Sequence, residues 1–168
     1  DDYHDNVQGL ANRNKYRLRW YDENQSQFQL ERKNKINRFS YKSIYFPNVL
    51  KNTIPLDSKG VIDCFEPNLP GEVISEVSKR LFQLYVVYER SYYEIFPGLR
   101  LTIDKDIKYS NSLCSSALIH PLDSPVKCVL EFKFNENVSD RVFNLLNGLP
   151  FRNFRHSKYV IGIDTTMV

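Results

Sequence analysis

Alternation of basic and apolar residues is the dominant pattern in this chain, and it predicts β-strands. In NKYRLRWY, residues 14–21, one face of the predicted strand carries Lys15, Arg17 and Arg19. The opposite face carries Tyr16, Leu18 and Trp20. The same alternation, with β-branched and aromatic content, predicts strands at residues 14–21, 26–35, 39–46, 83–95, 98–108, 126–134 and 158–165.

Helical spacing occurs in two places. Apolar residues three and four apart predict a helix over residues 71–82. The stretch SDRVFNLLNG predicts a second helix, with Ser139 as its N-cap and Gly148 as its C-terminal stop. Residues 47–70 contain four prolines in mixed sequence and predict a long connection across one end of the sheet.

Two features of the strands favour a closed sheet over an antiparallel sheet with one solvated face, which is the ordinary alternative. Arginine dominates the polar faces, whereas a solvated face normally mixes charges of both signs. The apolar faces carry Trp20, Phe132 and Phe134, which are too large to leave uncovered. The expected fold is therefore mainly β (α+β): an antiparallel β tunnel or barrel with a cationic lumen and a few covering helices.

Composition limits the number of domains, the compartment and the kinds of site that the chain can have. The 168 residues, 42% of them hydrophobic, suit one domain with a real core. The formal net charge of +3 is small, so the clustering of cations carries more information than their total. Cys64, Cys114 and Cys128 fit neither a disulfide framework nor a zinc site, which favours a reducing compartment. The sequence contains no apolar run of transmembrane length.

Six motifs in order resemble one known family over nearly the whole chain. They are YRLRWY (16–21), LERKNK (30–35), YERSYYE (88–94), LRLTID (99–104), VLEFKF (129–134) and RHSKYVIG (155–162). This set resembles the polyphosphate polymerase domain of the vacuolar transporter chaperone (VTC) family, within the CYTH-like triphosphate tunnel metalloenzymes. The resemblance implies a β tunnel that binds ATP and polyphosphate with Mn²⁺ or Mg²⁺.

Site residues follow from the resemblance, motif by motif. The implied catalytic residues are Arg17, Arg19, Lys33, Arg90, Arg100 and Lys158. The implied phosphate-binding residues are Lys42, Lys133 and Arg155. Glu131 is the candidate metal ligand, since Mg²⁺ and Mn²⁺ bind through oxygen. Fixed guanidinium groups suit phosphoryl transfer, because that reaction needs positive charge in a set geometry.

Two other carboxylates remain open at this stage. Glu31 precedes Lys33 on the same face, so it is either an ion-pair partner or a metal ligand. Asp104 either binds a metal or holds Arg100 in place. His4, His120 and His156 lack ligand spacing, although His156 lies in the RHSKY segment and is expected near the site.

Family members usually begin with an earlier basic strand, whereas this chain starts at DDYHDN. The expectation is a single VTC-type domain over residues 1–168 that lacks its first strand. The domain is expected to be cytoplasmic and to make no membrane contact itself, with membrane or phosphate-sensing domains attached outside this chain.

The leading function is transfer of the terminal phosphoryl group of ATP to a polyphosphate chain. A tunnel triphosphatase, which uses water as the acceptor, is a related alternative. A non-catalytic polyanion-binding module is a third, and Glu131 argues against it, because a pure anion binder gains nothing from a carboxylate among its cations. Nucleic acid is not expected as a partner, since a narrow lumen excludes bases.

Overall fold

A computed structural model describes residues 13–22, 27–37, 39–49, 57–111, 121–150, 152, 154 and 156–167. The chain divides into two compact units, Asp1–Gln83 and Leu84–Val168. We call them the N-terminal and C-terminal units. The expectation of one domain over residues 1–168 stays a prediction.

The N-terminal unit contains a three-stranded antiparallel sheet in the order β1-β2-β3. Its strands are β1 (Arg13–Trp20), β2 (Phe28–Ile36) and β3 (Phe39–Tyr45). Two helices follow, α1 (Ser58–Phe65) and α2 (Gly71–Val77). All three strands were predicted from alternation. The predictions are confirmed, because each strand begins and ends within two residues of its predicted bounds.

The core of this unit lies on the apolar face of the sheet. Its buried members come from β2, the two helices and the connection between those helices, and they are Phe28, Leu30, Val61, Cys64, Phe65, Leu69, Val73 and Val77. Tyr16, Leu18 and Trp20 pack against this core, as the alternation in β1 predicted. The basic residues of β1 therefore point away from the core.

Helix α1 corrects the prediction that residues 47–70 form only a connection. Asp57 caps the helix, since its carboxylate accepts a hydrogen bond of 2.5 Å from the Gly60 amide. Val61, Cys64 and Phe65 are buried at helical spacing. The sequence analysis missed this short helix because the four prolines of residues 47–70 favoured an irregular connection. Helix α2 also ends at Val77, earlier than the predicted residue 82.

The C-terminal unit is built around one long strand. Strand β5 (Leu99–Asn111) pairs antiparallel with β4 (Leu84–Phe96), β6 (Leu122–Asp123) and β7 (Cys128–Phe134). A 3₁₀ turn (Glu136–Val138) leads into α3 (Ser139–Asn147), and α4 (Lys158–Thr166) follows. Gly148 is the C-cap of α3, as predicted, but Val138 rather than Ser139 is the N-cap.

The mainly β class with a few helices is confirmed. The described strands form two sheets rather than one, and neither sheet is closed into a barrel. Alternation predicts which residues share a face, but closure depends on which strands pair, and alternation does not specify that pairing.

Residues 158–165 were predicted as a strand, and this prediction is wrong. They form helix α4, whose N-cap Ser157 accepts a hydrogen bond of 3.5 Å from the Val160 amide. The β-branched residues favour a strand, but packing against β4 and β5 overrides that preference. Gly162 makes this packing close, because a Cβ atom there would lie 2.5 Å from Leu84 Cδ2 and 2.7 Å from Tyr109 Cδ1.

Gly162→Ala should lower the free energy of unfolding by about 1–3 kcal/mol, since the added methyl overpacks the contact with the buried Tyr109 ring. Gly71→Ala is the matched control, because no atom lies within 4 Å of its added Cβ. Urea denaturation of both variants measures the difference. A Gly162→Ala variant as stable as the parent would contradict the packing of α4.

Candidate functional site

The polar face of the N-terminal sheet brings together four of the predicted site residues. They are Arg17, Arg19, Lys33 and Lys42. Lys33 of β2 lies directly opposite Lys15 of β1 and Lys42 of β3. We call this polar face, with Glu31 among its cations, the N-terminal charged face.

Glu31 is the centre of that face and is only 2% exposed. Its Oε1 accepts hydrogen bonds from Lys42 Nζ at 2.6 Å and Gln29 Nε2 at 3.0 Å, and Arg17 Nε donates to Oε2. Burial opposes ionisation, but the bonds from Lys42 and Arg17 outweigh it and lower the pKa of Glu31. These contacts are those of an ion-pair partner, one of the two roles that the sequence left open.

The C-terminal sheet has its own polar face, which gathers Arg90, Arg100, Glu131 and Lys133. Cross-strand register places Arg90 opposite Asp104. Arg100 lies opposite Lys133, and Thr102 lies opposite Glu131. We call this surface the C-terminal charged face. Lys158, from the first turn of α4, joins it through Asp104.

Asp104 is 1% exposed and binds two of the predicted catalytic cations. Arg90 donates to it through Nε at 2.5 Å and Nη2 at 2.7 Å, and Lys158 Nζ also contacts Oδ2. Burial opposes ionisation of Asp104, yet these bonds lower its pKa. Of the two roles left open for Asp104, these contacts are those of a structural ion-pair partner, but the cations it holds are Arg90 and Lys158 rather than Arg100.

A cleft of about 260 Å³ opens on the C-terminal unit. Its lining consists of Arg90, Tyr92, Tyr93, Glu94, Arg100, Leu101, Thr102 and Lys133. Within the described residues Arg100 makes no ion pair, and Lys133 pairs with the half-exposed Glu131 at 3.2 Å. The cleft therefore presents exposed positive charge that suits an anion.

The residues beside this cleft fit a divalent cation that arrives with phosphate. Glu131 is 45% exposed, and the buried Thr102 hydroxyl opposite it has no hydrogen-bond partner. Among the described residues no group of three or more Asp, Glu, His or Cys side chains could hold a metal alone. Mg²⁺ commonly binds through one or two carboxylates plus substrate phosphates, and Glu131 with Thr102 suits that mode.

The remaining predicted residues divide into two cases. Arg155, like His4 and His120, lies outside the described residues. His156 is described, and neither of its buried ring nitrogens has a hydrogen-bond partner. Burial and the charge of Lys158 lower the pKa of His156, which favours its neutral form. The prediction that all the site cations share one lumen stays a prediction.

Sequence reasoning assigned no role to two residues of the C-terminal face, Glu94 and Thr102. Both line the cleft beside Arg100. Period-two counting along YERSYYE and LRLTID already places them on the charged faces. The signal that was missing is the register, which sets Glu94 opposite Arg100 and Thr102 opposite Glu131.

The fold and these faces define a mainly β protein whose two described sheets each carry clustered cations on one face. The family model for the VTC domain matches residues 1–167, and the chain belongs to that family. Membership implies a function related to polyphosphate, and the family is associated with polyphosphate synthesis. Among curated proteins, none matches the chain. No helix in the described part of the chain is long and apolar enough to cross a membrane.

Proposed function

We propose that this chain is a polyphosphate polymerase domain that transfers the terminal phosphoryl group of ATP to a growing polyphosphate chain. The observation that carries the proposal is the cleft in which Arg100 and Lys133 lie next to Glu131. Positive charge beside a carboxylate with exposed surface suits phosphates that carry a divalent cation.

Arg100 and Lys133 would bind the oxygens of the transferring phosphoryl group and the leaving diphosphate. A guanidinium group offers two parallel hydrogen bonds in a fixed plane, and an ammonium group offers a compact charge that can follow a moving chain. Phosphoryl transfer needs this positioning and charge more than covalent help from the protein. Arg17, Arg19, Lys33, Lys42 and Arg155 are proposed as further phosphate-binding cations.

Arg90 and Lys158 would act as a pair. Asp104 fixes both cations, and their charges both lie about 5 Å from the Tyr88 ring. A cation held by a buried carboxylate keeps its position without substrate, so less ordering is required when phosphate binds. Asp104 is therefore a positioning residue.

Glu131, with the Thr102 hydroxyl, would hold Mn²⁺ or Mg²⁺. When bound, the ion would supply positive charge that stabilises the negative charge developing on the phosphates during transfer. Glu131 must leave Lys133 to do this, and at 45% exposure that ion pair is weak enough to exchange. ATP and polyphosphate are the proposed substrates. We propose that this domain contacts neither nucleic acid nor a membrane. A cytoplasmic location stays a prediction.

A second candidate is a non-catalytic polyphosphate-binding module. The ion pair between Glu131 and Lys133 favours it, because a carboxylate already neutralised by lysine can be structural. A tunnel triphosphatase, with water as acceptor, remains the enzymatic alternative.

Incubation with ATP and Mn²⁺ separates these functions. The polymerase predicts polyphosphate that grows with time and matches the ADP formed. Phosphate release without polymer would indicate a triphosphatase. Binding of polyphosphate with neither product would indicate the module and contradict the proposed enzyme.

Arg100→Ala should weaken tripolyphosphate binding by about 1.5–3 kcal/mol, the usual contribution of hydrogen bonds to charged groups. Lys105→Ala is the control, because Lys105 is exposed on the opposite face of the same strand. Isothermal titration calorimetry measures both dissociation constants. Equal values for Arg100→Ala and the parent would remove Arg100 from the site.

A further inference from the structure

The cleft on the C-terminal charged face contains two side chains that the proposed phosphate contacts do not use. They are Tyr92 and Glu94, which follow Arg90 at every second position of β4 and so share its face. The Tyr92 side chain is 65% exposed, although its ring is large and flat. Glu94 is exposed as well, and it lies directly opposite Arg100. Both groups therefore border the space in which phosphate is proposed to bind.

Tyr92 forms one wall of this cleft. Cross-strand register places it opposite the buried Thr102, and Thr102 in turn lies opposite Glu131. Because neighbouring strands are about 4.8 Å apart, the backbones of Tyr92 and Glu131 are roughly 10 Å apart, with only a short side chain between them. The guanidinium carbon of Arg90 lies 5.9 Å from the centroid of the Tyr92 ring. A planar group can therefore stack on the exposed ring while phosphates attached to it reach the cations of the cleft.

Glu94 is an unexpected group in a cleft that binds phosphate, because a carboxylate repels phosphate. Residues of opposite charge that face each other on neighbouring strands normally attract. Within the described part of the chain, however, Glu94 and Arg100 form no ion pair. The Glu94 oxygens thus remain available to accept hydrogen bonds from a ligand. Ribose hydroxyls are suitable donors, and carboxylates bind them in dinucleotide-binding proteins.

We propose that Tyr92 and Glu94 form a nucleoside subsite, in which Tyr92 stacks on the base of ATP and Glu94 accepts hydrogen bonds from its ribose hydroxyls. Arg100 and Lys133 hold the phosphates beside them. Stacking tolerates any base, because every base has a π-face, so the subsite recognises a nucleoside triphosphate rather than adenine in particular. This inference rests on the proposed function for its ligand. The subsite distinguishes the phosphoryl donor from the end of a polyphosphate chain, which has neither base nor ribose.

Tyr92→Ala should weaken ATP binding at least about fivefold, the lower end of the usual contribution of base stacking, while tripolyphosphate binds as in the parent. Tyr92→Phe keeps the ring and should bind ATP like the parent. Tyr41→Ala is the matched control, because Tyr41 is 61% exposed on β3 and lies outside the cleft. Isothermal titration calorimetry with a chelator present measures binding without metal-dependent turnover, and circular dichroism verifies folding.

The ribose contact is tested with 2′,3′-dideoxy-ATP, which lacks both hydroxyls. The parent should bind ATP about three- to tenfold more tightly than this analogue, as expected for hydrogen bonds to a carboxylate. Glu94→Gln should lower that preference at least about twofold without weakening the binding of tripolyphosphate, since a neutral amide oxygen is the weaker acceptor. Glu89→Gln, an exposed position on the opposite face of β4, should keep the parental preference.

Three results would overturn this inference. Tyr92→Ala could bind ATP like the parent, or it could lose affinity for ATP and tripolyphosphate equally. The parent could also bind ATP and its dideoxy analogue with equal affinity. Failure of the proposed function is a separate result, in which the parent makes no polymer from ATP but its affinity for ATP still depends on Tyr92.

Discussion

Asp104→Ala should lower the free energy of unfolding by about 3–5 kcal/mol, the usual cost of removing one partner from a buried ion pair. The carboxylate is 1% exposed, and the side chains of Arg90 and Lys158 are 16% and 19% exposed. Without Asp104 these two cations would repel each other with little solvent between them. Urea denaturation measures the loss.

Asp123→Ala is the control for this variant, because Asp123 is exposed on the short strand β6. It should change the stability by less than about 0.5 kcal/mol. If Asp104→Ala cost no more than this control, the ion pairs of Asp104 would not stabilise the fold.

The difference in free energy of unfolding between the parent and Asp104→Ala should depend on pH, and the sign of this dependence follows from the pKa of Asp104. The pKa of Asp104 in the folded protein lies below its ordinary value of 3.8, so the unfolded state binds the proton first as pH falls. The stability that Asp104 contributes is therefore full above about pH 4. It should be lost as the pH falls from there through the folded-state pKa, and the difference between parent and Asp104→Ala should shrink over that range.

Glu131→Gln should remove most metal-dependent polyphosphate synthesis while keeping the fold and much of the polyphosphate affinity. The amide keeps the size of the side chain but loses the charge that a hard cation requires. Because Glu131 is half exposed and, among the residues that the structure describes, forms its ion pair with Lys133, loss of its charge should leave the packing intact. ATP-dependent synthesis across a manganese titration, beside polyphosphate binding, measures both properties.

Glu89→Gln makes the same chemical change at an exposed position on the opposite face of β4 from Arg90, and it should synthesise polymer like the parent. Lys158→Ala should instead weaken binding and rate together, since it removes a positioning cation and no metal ligand. Synthesis by Glu131→Gln at the parental rate and metal dependence would refute the metal assignment. Glu94, which lines the same cleft, would then be the better candidate.

Six of the seven strands predicted from the sequence alone are present in the structure, with the two faces that alternation assigned to them. Alternation in residues 14–21 is enough to place Arg17 on the charged side and Trp20 against the core, because side chains of a strand alternate whatever it pairs with. The family motifs likewise depend only on local order along the chain. For this reason, the candidate cations can be predicted from the sequence alone.

Tertiary structure decided which of those residues meet. Alternation does not specify register, so the sequence suggested Arg100, on the same strand, as an ion-pair partner of Asp104, whereas the partner is Arg90, the residue opposite it. Alternation also cannot predict the secondary structure of a segment whose local preference favours one structure while its packing favours another. Residues 158–166 have β-branched side chains typical of a strand, but Gly162 allows them to pack closely as a helix against Tyr109. These outcomes depend on contacts between residues distant in sequence, and such contacts form only when the chain folds.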